Sequence, residues 1–218
     1  MLSAGLLAAA YATSSAIIEA SSIASFAFGL ALLLSGGTPK VNLYPANEGL
    51  RGPLLSLSRL AKAKVGGFRA IFLKGGEWST LSATDPKSGG ITVEPIGNAM
   101  VRDYERELGS LSGVGMDELK TWLPMMITDK LGLASGMKMS REGDKVVTTL
   151  SRPYVRTLCV DEEMAKEVCS CMGCPLVASV GESLARALNQ NVTHLSCTFD
   201  PSTQTANAIH TVAGDSKE

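Results

Sequence analysis

Positive charge is absent from the start of the chain. Leu2 to Leu34, thirty-three residues, contain no lysine or arginine, and Glu19 is their only charged side chain. This absence argues against a cleaved secretory signal, which begins with a positively charged stretch and carries an apolar run of about 7 to 15 residues. At about 1.5 Å per helical residue, the segment is longer than the roughly 30 Å of a hydrocarbon core. We therefore expect residues 1–37 to form a membrane anchor helix.

The number of crossings and their direction follow from length and charge. A hairpin that crosses twice is the alternative to one long or tilted helix, but it leaves about 16 residues per arm, at or below the usual minimum. Lysine and arginine begin only after the segment, at Lys40 and Arg51, and these residues are enriched on the cytoplasmic side of membranes. We expect a single-pass membrane protein whose residues 38–213 are cytoplasmic.

Small side chains recur at every fourth position of the predicted anchor. Ala8, Ala12, Ala16 and Ala20 belong to this stripe, which would let a second helix approach closely. Glu19 is adjacent to the stripe, and a carboxylate at membrane depth costs at least a few kcal/mol unless it is protonated, paired or hydrated. We expect these five residues to form a contact between copies, and hence a homo-oligomer. Alternatively, alanine serves only as a helix former, and Glu19 reaches the membrane interface.

Histidine is scarce, and the remaining charges are balanced. His194 and His210 are the only two histidines. Both fall in the last predicted hairpin, where His194 is expected on the polar, exposed face of its strand. No Ser-His-Asp group or paired carboxylates accompany a recognisable motif, so the sequence does not indicate an enzyme.

Setting Glu19 aside, 20 acidic residues balance 20 basic ones, which gives no electrostatic argument for nucleic acid.

The pattern of apolar residues after the anchor predicts one soluble α+β domain, with antiparallel strands packed against helices. We expect this domain at residues 38–213 and a polar tail at 214–218. Pro53 is compatible with the first predicted helix only in its first turn, and Pro124 should kink or split the third. Helices are predicted at 48–64, 97–108, 116–131, 161–168 and 175–190, and strands at 41–44, 68–74, 78–83, 91–95, 136–140, 145–152, 192–199 and 204–212.

Cysteine is the residue type in this sequence that most clearly could bind a metal or carry out redox chemistry. The five cysteines are Cys159, Cys169, Cys171, Cys174 and Cys197, and an odd number in a predicted cytoplasmic domain favours free thiols over disulfides. As metal ligands they would suit zinc or an iron-sulfur cluster. Cys171 and Cys174 also form a C-x-x-C motif, which is typical of thiol-redox sites. The third alternative is that all five pack as small hydrophobic residues.

Cys174 is the one cysteine whose local environment follows from the sequence. Pro175 is favoured at the first position of a helix, which makes Cys174 the N-cap. Free backbone amides and the helix dipole there favour a thiolate. We therefore predict Cys174 as the reactive thiol, and we expect it to ionise more readily than Cys197, buried on a strand face shared with Leu195 and Phe199.

The order of elements from Leu131 to Val212 resembles a known family. A hairpin, a cysteine-containing junction, the Cys174-Pro175 helix start, a helix and a closing hairpin with Cys197 follow one another. This order is similar to the C-terminal half of vinyl-reductase-type ligand-binding domains, relatives of the small subunits of vesicle-tethering complexes. The closing hairpin here lacks the second closely spaced cysteine of that family. The resemblance implies an α+β fold for ligand binding or assembly.

Two functions are consistent with these patterns. The first is a membrane-anchored cytoplasmic scaffold that binds a small-molecule ligand or self-assembles and is not a catalyst. The second is a thiol-redox or cysteine-ligated metal module at the membrane, with zinc or an iron-sulfur cluster.

Overall fold

The computed structural model describes most of the chain after the predicted anchor, namely residues 44–65, 67–76, 78–83 and 90–213. The chain divides into two compact units, Met1–Leu60 and Ala61–Glu218. The predicted anchor, its self-association residues and the predicted tail lie outside the described residues.

The first helix begins earlier than the sequence pattern predicts. Helix α1 spans Tyr44–Val65 and contains Pro53. Pro53 therefore lies beyond the first turn, contrary to expectation. The start signal that the pattern analysis missed is Pro45, because a proline in the first turn lacks only an N–H that has no helical partner there. At Pro53 the proline removes a helical hydrogen bond, at a cost of about 3 kcal/mol.

An antiparallel sheet forms the framework of the second unit. Within the described residues it has seven strands in the order β3-β2-β1-β6-β7-β5-β4. Strand β1 lies centrally, between β2 and β6, and its apolar sequence is typical of such a position. The strands are β1 Phe68–Phe72, β2 Ser79–Ala83, β3 Gly90–Val93, β4 Gly136–Glu142, β5 Lys145–Ser151, β6 Val192–Asp200 and β7 Thr205–Val212.

The helices of the second unit supply the other layer, so the predicted α+β class is confirmed for the described residues. They are α2 Asn98–Leu108, α3 Met116–Pro124, α4 Arg156–Val160 and α6 Pro175–Leu188, and α5 lies between α4 and α6 in the chain. Helix α5 consists of Glu162–Met164, the π-helical turn Ala165–Cys169 and Ser170–Met172.

The split predicted at Pro124 takes the form of a change in helix type. The α-helical part of α3 ends at Pro124 and continues as the π-helical turn Met125–Lys130. Proline cannot donate a backbone hydrogen bond, which favours such a local widening. The hydroxyl of Thr128 donates to the Pro124 carbonyl at 2.7 Å.

Helix α6 is the centre of the unit, since 12 of its 14 residues are buried. Two glycines allow the close packing on either side. A Cβ atom at Gly181 would lie 2.3 Å from Cε2 of Phe72 on β1, and one at Gly97, just before α2, would lie 2.3 Å from the Ser179 nitrogen. The helix is therefore enclosed between the sheet and α2.

One stretch of the described residues is long and apolar enough to cross a membrane. Glu162–Leu188, 27 residues with a mean hydropathy of 1.4, meets that condition by length and composition, and 89 % of its apolar window is buried inside the protein. A core helix passes the same test. Because α5 and α6 lie in this stretch and pack within the unit, we interpret it as core.

Candidate metal centre

Four cysteines from four different elements meet in the core of the second unit, and we call them the thiol cluster. Cys159 lies on α4, Cys169 ends the π-helical turn of α5, Cys174 precedes α6, and Cys197 lies on β6. Their exposed fractions are 5, 1, 1 and 6 %. All four are free thiols. Residues far apart in sequence thus form one closed, water-excluded set.

The thiols of the cluster contact one another, with Cys159 at the centre. Cys159 is hydrogen-bonded to Cys169, Cys174 and Cys197, and Cys174 is also hydrogen-bonded to Cys197. Four sulfur atoms have six possible pairs, and four of those pairs are in contact.

Cys171 is separate from this set. It is half-buried, and its Sγ lies 3.5 Å from the Ser170 hydroxyl. Among the described residues, the groups that most shift the thiol pKa values of the cluster do not include Cys171. The C-x-x-C motif therefore does not act as a pair here. Four of the five predicted metal ligands come together, and Cys171 does not.

The cluster shares one negative charge among coupled thiols. Hydrogen bonds from Cys169, Cys174 and Cys197 hold the pKa of Cys159 well below its ordinary value, although burial opposes this. The hydrogen bond to Cys159, followed by burial, raises the pKa of Cys169. The pKa of Cys197 is raised for the same reasons. Among the four thiols, these contacts therefore favour the thiolate form of Cys159.

The prediction that Cys174 is the readily ionised thiol is corrected by this geometry. Cys174 is indeed the N-cap of α6, in an extended conformation before Pro175. However, its hydrogen bond to Cys159 and its burial raise its pKa well above the ordinary value. The helix start was predicted correctly, but the neighbouring sulfur atoms outweigh its effect on the thiol.

A β-bulge places His194 in the core, contrary to prediction. The pairing of β6 with β7 shifts register between His194 and Ser196. Such a bulge inserts one residue and changes the face on which later side chains lie. His194 and Cys197 are consequently both buried, whereas Leu195 and Phe199 are half-buried. Cys197 is buried as predicted, but it shares its face with His194 and not with Leu195.

The two histidines form a buried pair beside the thiol cluster. His194 Nδ1 lies 3.4 Å from His210 Nε2, and His194 Nε2 lies 3.0 Å from the carbonyl oxygen of Cys169. Burial lowers the pKa of His194 to about 4 and lowers the pKa of His210 well below its ordinary value. Both rings are therefore neutral near pH 7. Alternation along β6 could not reveal this pair, because the bulge interrupts it.

A second buried polar group lies where α6 packs on α2. Arg186 donates to Glu182 at 2.8 Å, to Glu105 at 2.9 Å and to Asn98 at 2.9 Å. The side chain of Glu182 is fully buried, and burial raises its pKa to about 8. We call these four residues the Arg186 network. The sequence analysis missed it, although Glu182 and Arg186 have the i,i+4 spacing of a helical ion pair.

The thiol cluster provides the four sulfur donors of a zinc site, but the side chains do not have the spacing that a metal ion requires. Within the described ranges, no three or more His, Cys, Asp or Glu side chains are already spaced for a metal ion. A tetrahedral ion with Zn–S bonds of about 2.3 Å requires all sulfur pairs to be about 3.8 Å apart. Binding such an ion would therefore require the sulfur atoms of the cluster to rearrange.

Comparison with known proteins gives no family for this chain: family models, curated proteins and solved structures show no match. The fold and the site define an α+β domain with a buried four-thiol cluster.

Proposed function

We propose that the second unit is a non-catalytic, cysteine-ligated metal module in which the thiol cluster holds one structural zinc ion. The observation that carries this proposal is the convergence of three buried thiols on a fourth, Cys159. Four protein ligands leave no open coordination position, which is the arrangement of structural rather than catalytic zinc sites.

The electrostatics of the cluster support the proposal. A thiolate in the core is costly unless a positive charge compensates it. The principal groups that shift the pKa of Cys159 are other thiols and burial, and none of these is a cation. A zinc ion would supply the missing charge and would deprotonate the remaining thiols.

The spacing of the thiols favours one ion over an iron-sulfur cluster. Thiols that contact each other directly can surround a single ion. A cluster of several irons separates its cysteine sulfurs by its own iron and sulfide atoms. Because Cys159 interacts with three other thiols, one zinc ion needs a smaller rearrangement of the sulfurs than a cluster of several irons does.

The position of this module in the cell is a further part of the proposal. We place it in the cytoplasm, carried by a single-pass anchor at residues 1–37 that self-associates through its alanine stripe and Glu19. The support is the absence of positive charge before residue 35 and its presence from Lys40 onward. In this arrangement the zinc ion stabilises a scaffold domain, in line with the resemblance to ligand-binding and assembly domains.

The deciding experiment is metal analysis of the full-length chain, purified in detergent without chelator. We expect about one zinc per chain in the parent. Cys159→Ser removes the central thiol and should lose the ion. Cys171→Ser is the matched control, because Cys171 lies outside the cluster, and it should retain it. Cobalt added to reduced, metal-free protein should give the intense thiolate-to-metal absorption of a tetrahedral four-cysteine site.

Two results would overturn the proposal. One is a parent protein that contains no metal and that neither zinc nor cobalt stabilises. The other is equal metal content in Cys159→Ser and Cys171→Ser. Visible absorption of protein purified without oxygen, with iron in place of zinc, would replace zinc by an iron site.

A further inference from the structure

We propose that His194 positions Cys169 within the thiol cluster, through a hydrogen-bond chain of fixed direction that starts at His210. The role in zinc binding rests on the proposed function, whereas the hydrogen bonds are observed in the structure without zinc. Its three links are His210 Nε2 to His194 Nδ1, His194 Nε2 to the Cys169 carbonyl, and the Gly173 amide to the same carbonyl.

The direction of the chain follows from what each atom can donate. A carbonyl oxygen only accepts, so His194 Nε2 must carry the hydrogen. In a neutral ring His194 Nδ1 is then an acceptor, and the hydrogen between the two rings must belong to His210 Nε2. His210 Nδ1 is left as an acceptor, and it is without a partner among the residues described. Both rings are thereby fixed as Nε2–H tautomers.

The Cys169 carbonyl is the point that this chain holds. It accepts from His194 Nε2 at 3.0 Å and from the Gly173 amide at 3.1 Å. Gly173 has a φ of 77° and directly precedes Cys174. One oxygen atom therefore connects the turn that carries Cys169, the residue before Cys174, and β6.

Strand β6 extends the same link to the fourth element. Cys197 lies three residues beyond His194, and the bulge between them brings both side chains into the core. The distance between β6 and the Cys169 carbonyl thus sets how closely the sulfurs of Cys169, Cys174 and Cys197 approach. A donor at position 194 fixes that distance.

His210 is itself held in place by packing. It lies directly opposite His194 in the register of β6 and β7, and its ring centroid is 6.2 Å from that of Phe72. A Cβ atom at Gly181 would come within 3.0 Å of His210 Nε2. Helix α6 therefore fixes the ring of His210, which in turn orients His194.

The test compares zinc affinity in His194→Phe and His194→Gln, using the full chain and a competing chelator. Phenylalanine retains an aromatic ring but has no donor, and we expect its affinity to fall about 10- to 100-fold, as for other partners that orient metal ligands. Glutamine can place an N–H near the position of Nε2, and it should restore affinity to within a few-fold of the parent. Folded His194→Phe that binds zinc like the parent overturns the inference.

Tautomer measurement separates this inference from the proposed function. Nitrogen NMR of the metal-free parent should show Nε2–H on both histidines, whether or not zinc binds. If the parent binds no metal but shows these tautomers, the zinc proposal fails and the hydrogen-bond chain stands. An Nδ1–H tautomer on either ring overturns the chain itself. If His194→Phe does not fold, two other measurements decide the question. They are the tautomers of the parent and the zinc affinity of His194→Gln, which should be within a few-fold of that of the parent.

Discussion

Helix α6 contributes to two buried polar groups that balance charge in different ways. At its start, Cys174 joins a thiol cluster in which hydrogen bonds from other thiols lower the pKa of Cys159. Further along, Glu182 joins the Arg186 network, in which a guanidinium lies between the side chains of Glu105 and Glu182. Both groups are in the core, yet only the second contains a cation of its own.

This difference shows what each group needs from outside the chain. The Arg186 network is complete as folded, apart from one oxygen of Glu182 and Nε of Arg186, which have no partner in the described part of the chain. In the thiol cluster the pKa of Cys159 is lowered by other thiols, and no cation is among the principal groups that shift it. The comparison therefore points to an external cation at the sulfurs and to none at the Arg186 network.

Zinc removal should produce the largest effect. Structural zinc sites have apparent binding free energies of about 10 kcal/mol or more near pH 7, so chelation should lower the thermal unfolding midpoint strongly. The parent and Cys171→Ser should respond alike in a calorimetric scan with excess zinc or excess chelator. Identical midpoints under both conditions would remove the contrast between the two groups.

The same site should release protons when it binds zinc. Cys169, Cys174 and Cys197 hold their protons because their pKa values are raised, whereas zinc requires thiolates. About three protons should therefore appear per ion bound, and the affinity should weaken as the pH falls. A titration in weakly buffered indicator dye measures both. Binding without proton release would mean that the thiols are already ionised.

Replacement of Arg186 by methionine should destabilise the other group by about 3–5 kcal/mol, because the acceptors on Glu105, Glu182 and Asn98 lose their buried donor. The side chain of Arg186 is 14 % exposed. Arg106→Met is the control, since Arg106 is 77 % exposed in its pair with Asp103, and it should change stability by less than about 1 kcal/mol. Denaturant unfolding measures both. Equal costs would show that the network does not depend on its buried cation.

Glu182 should make stability fall as the pH rises. Burial raises its pKa to about 8 in the folded state from 4.5, so the folded protein binds a proton that the unfolded chain releases across this window. Stability should then decrease between about pH 5 and 8, by at most about 1.4 kcal/mol per unit. Glu182→Gln should flatten that slope in denaturant unfolding at several pH values. An unchanged slope would assign it to other groups.

The hydrogen bond between Tyr104 and Ser179 should give the smallest effect. The Ser179 hydroxyl donates to the Leu176 carbonyl at 2.7 Å, so Tyr104 is the donor in its 2.9 Å bond to Ser179. Tyr104→Phe leaves no donor unpaired and should cost about 0.5–1.5 kcal/mol. In a Ser179→Ala background the same change should cost nothing, as a double-mutant cycle in denaturant would show. An equal cost in both backgrounds would attribute it to packing.

Local patterns predicted the elements of the fold better than their burial. The hairpin of β4 and β5, the start of α6 at Pro175 and the central position of β1 followed from turn residues, proline and apolar content. The exposure of His194 did not, because alternation assumes an unbroken strand. One inserted residue in β6 was enough to move a side chain from one face to the other.

The sequence by itself determined an α+β chain with antiparallel strands, a helix that begins after Cys174, and five cysteines available as thiols. Only the tertiary structure decided which thiols meet. Cys171 and Cys174 are three residues apart and do not pair, whereas Cys159 and Cys197 belong to separate elements and join one cluster. The physical reason is that sulfur contacts require elements distant in sequence to pack side by side. The closeness of α6 to its neighbours, set by Gly97 and Gly181, is visible only once all of them are in place.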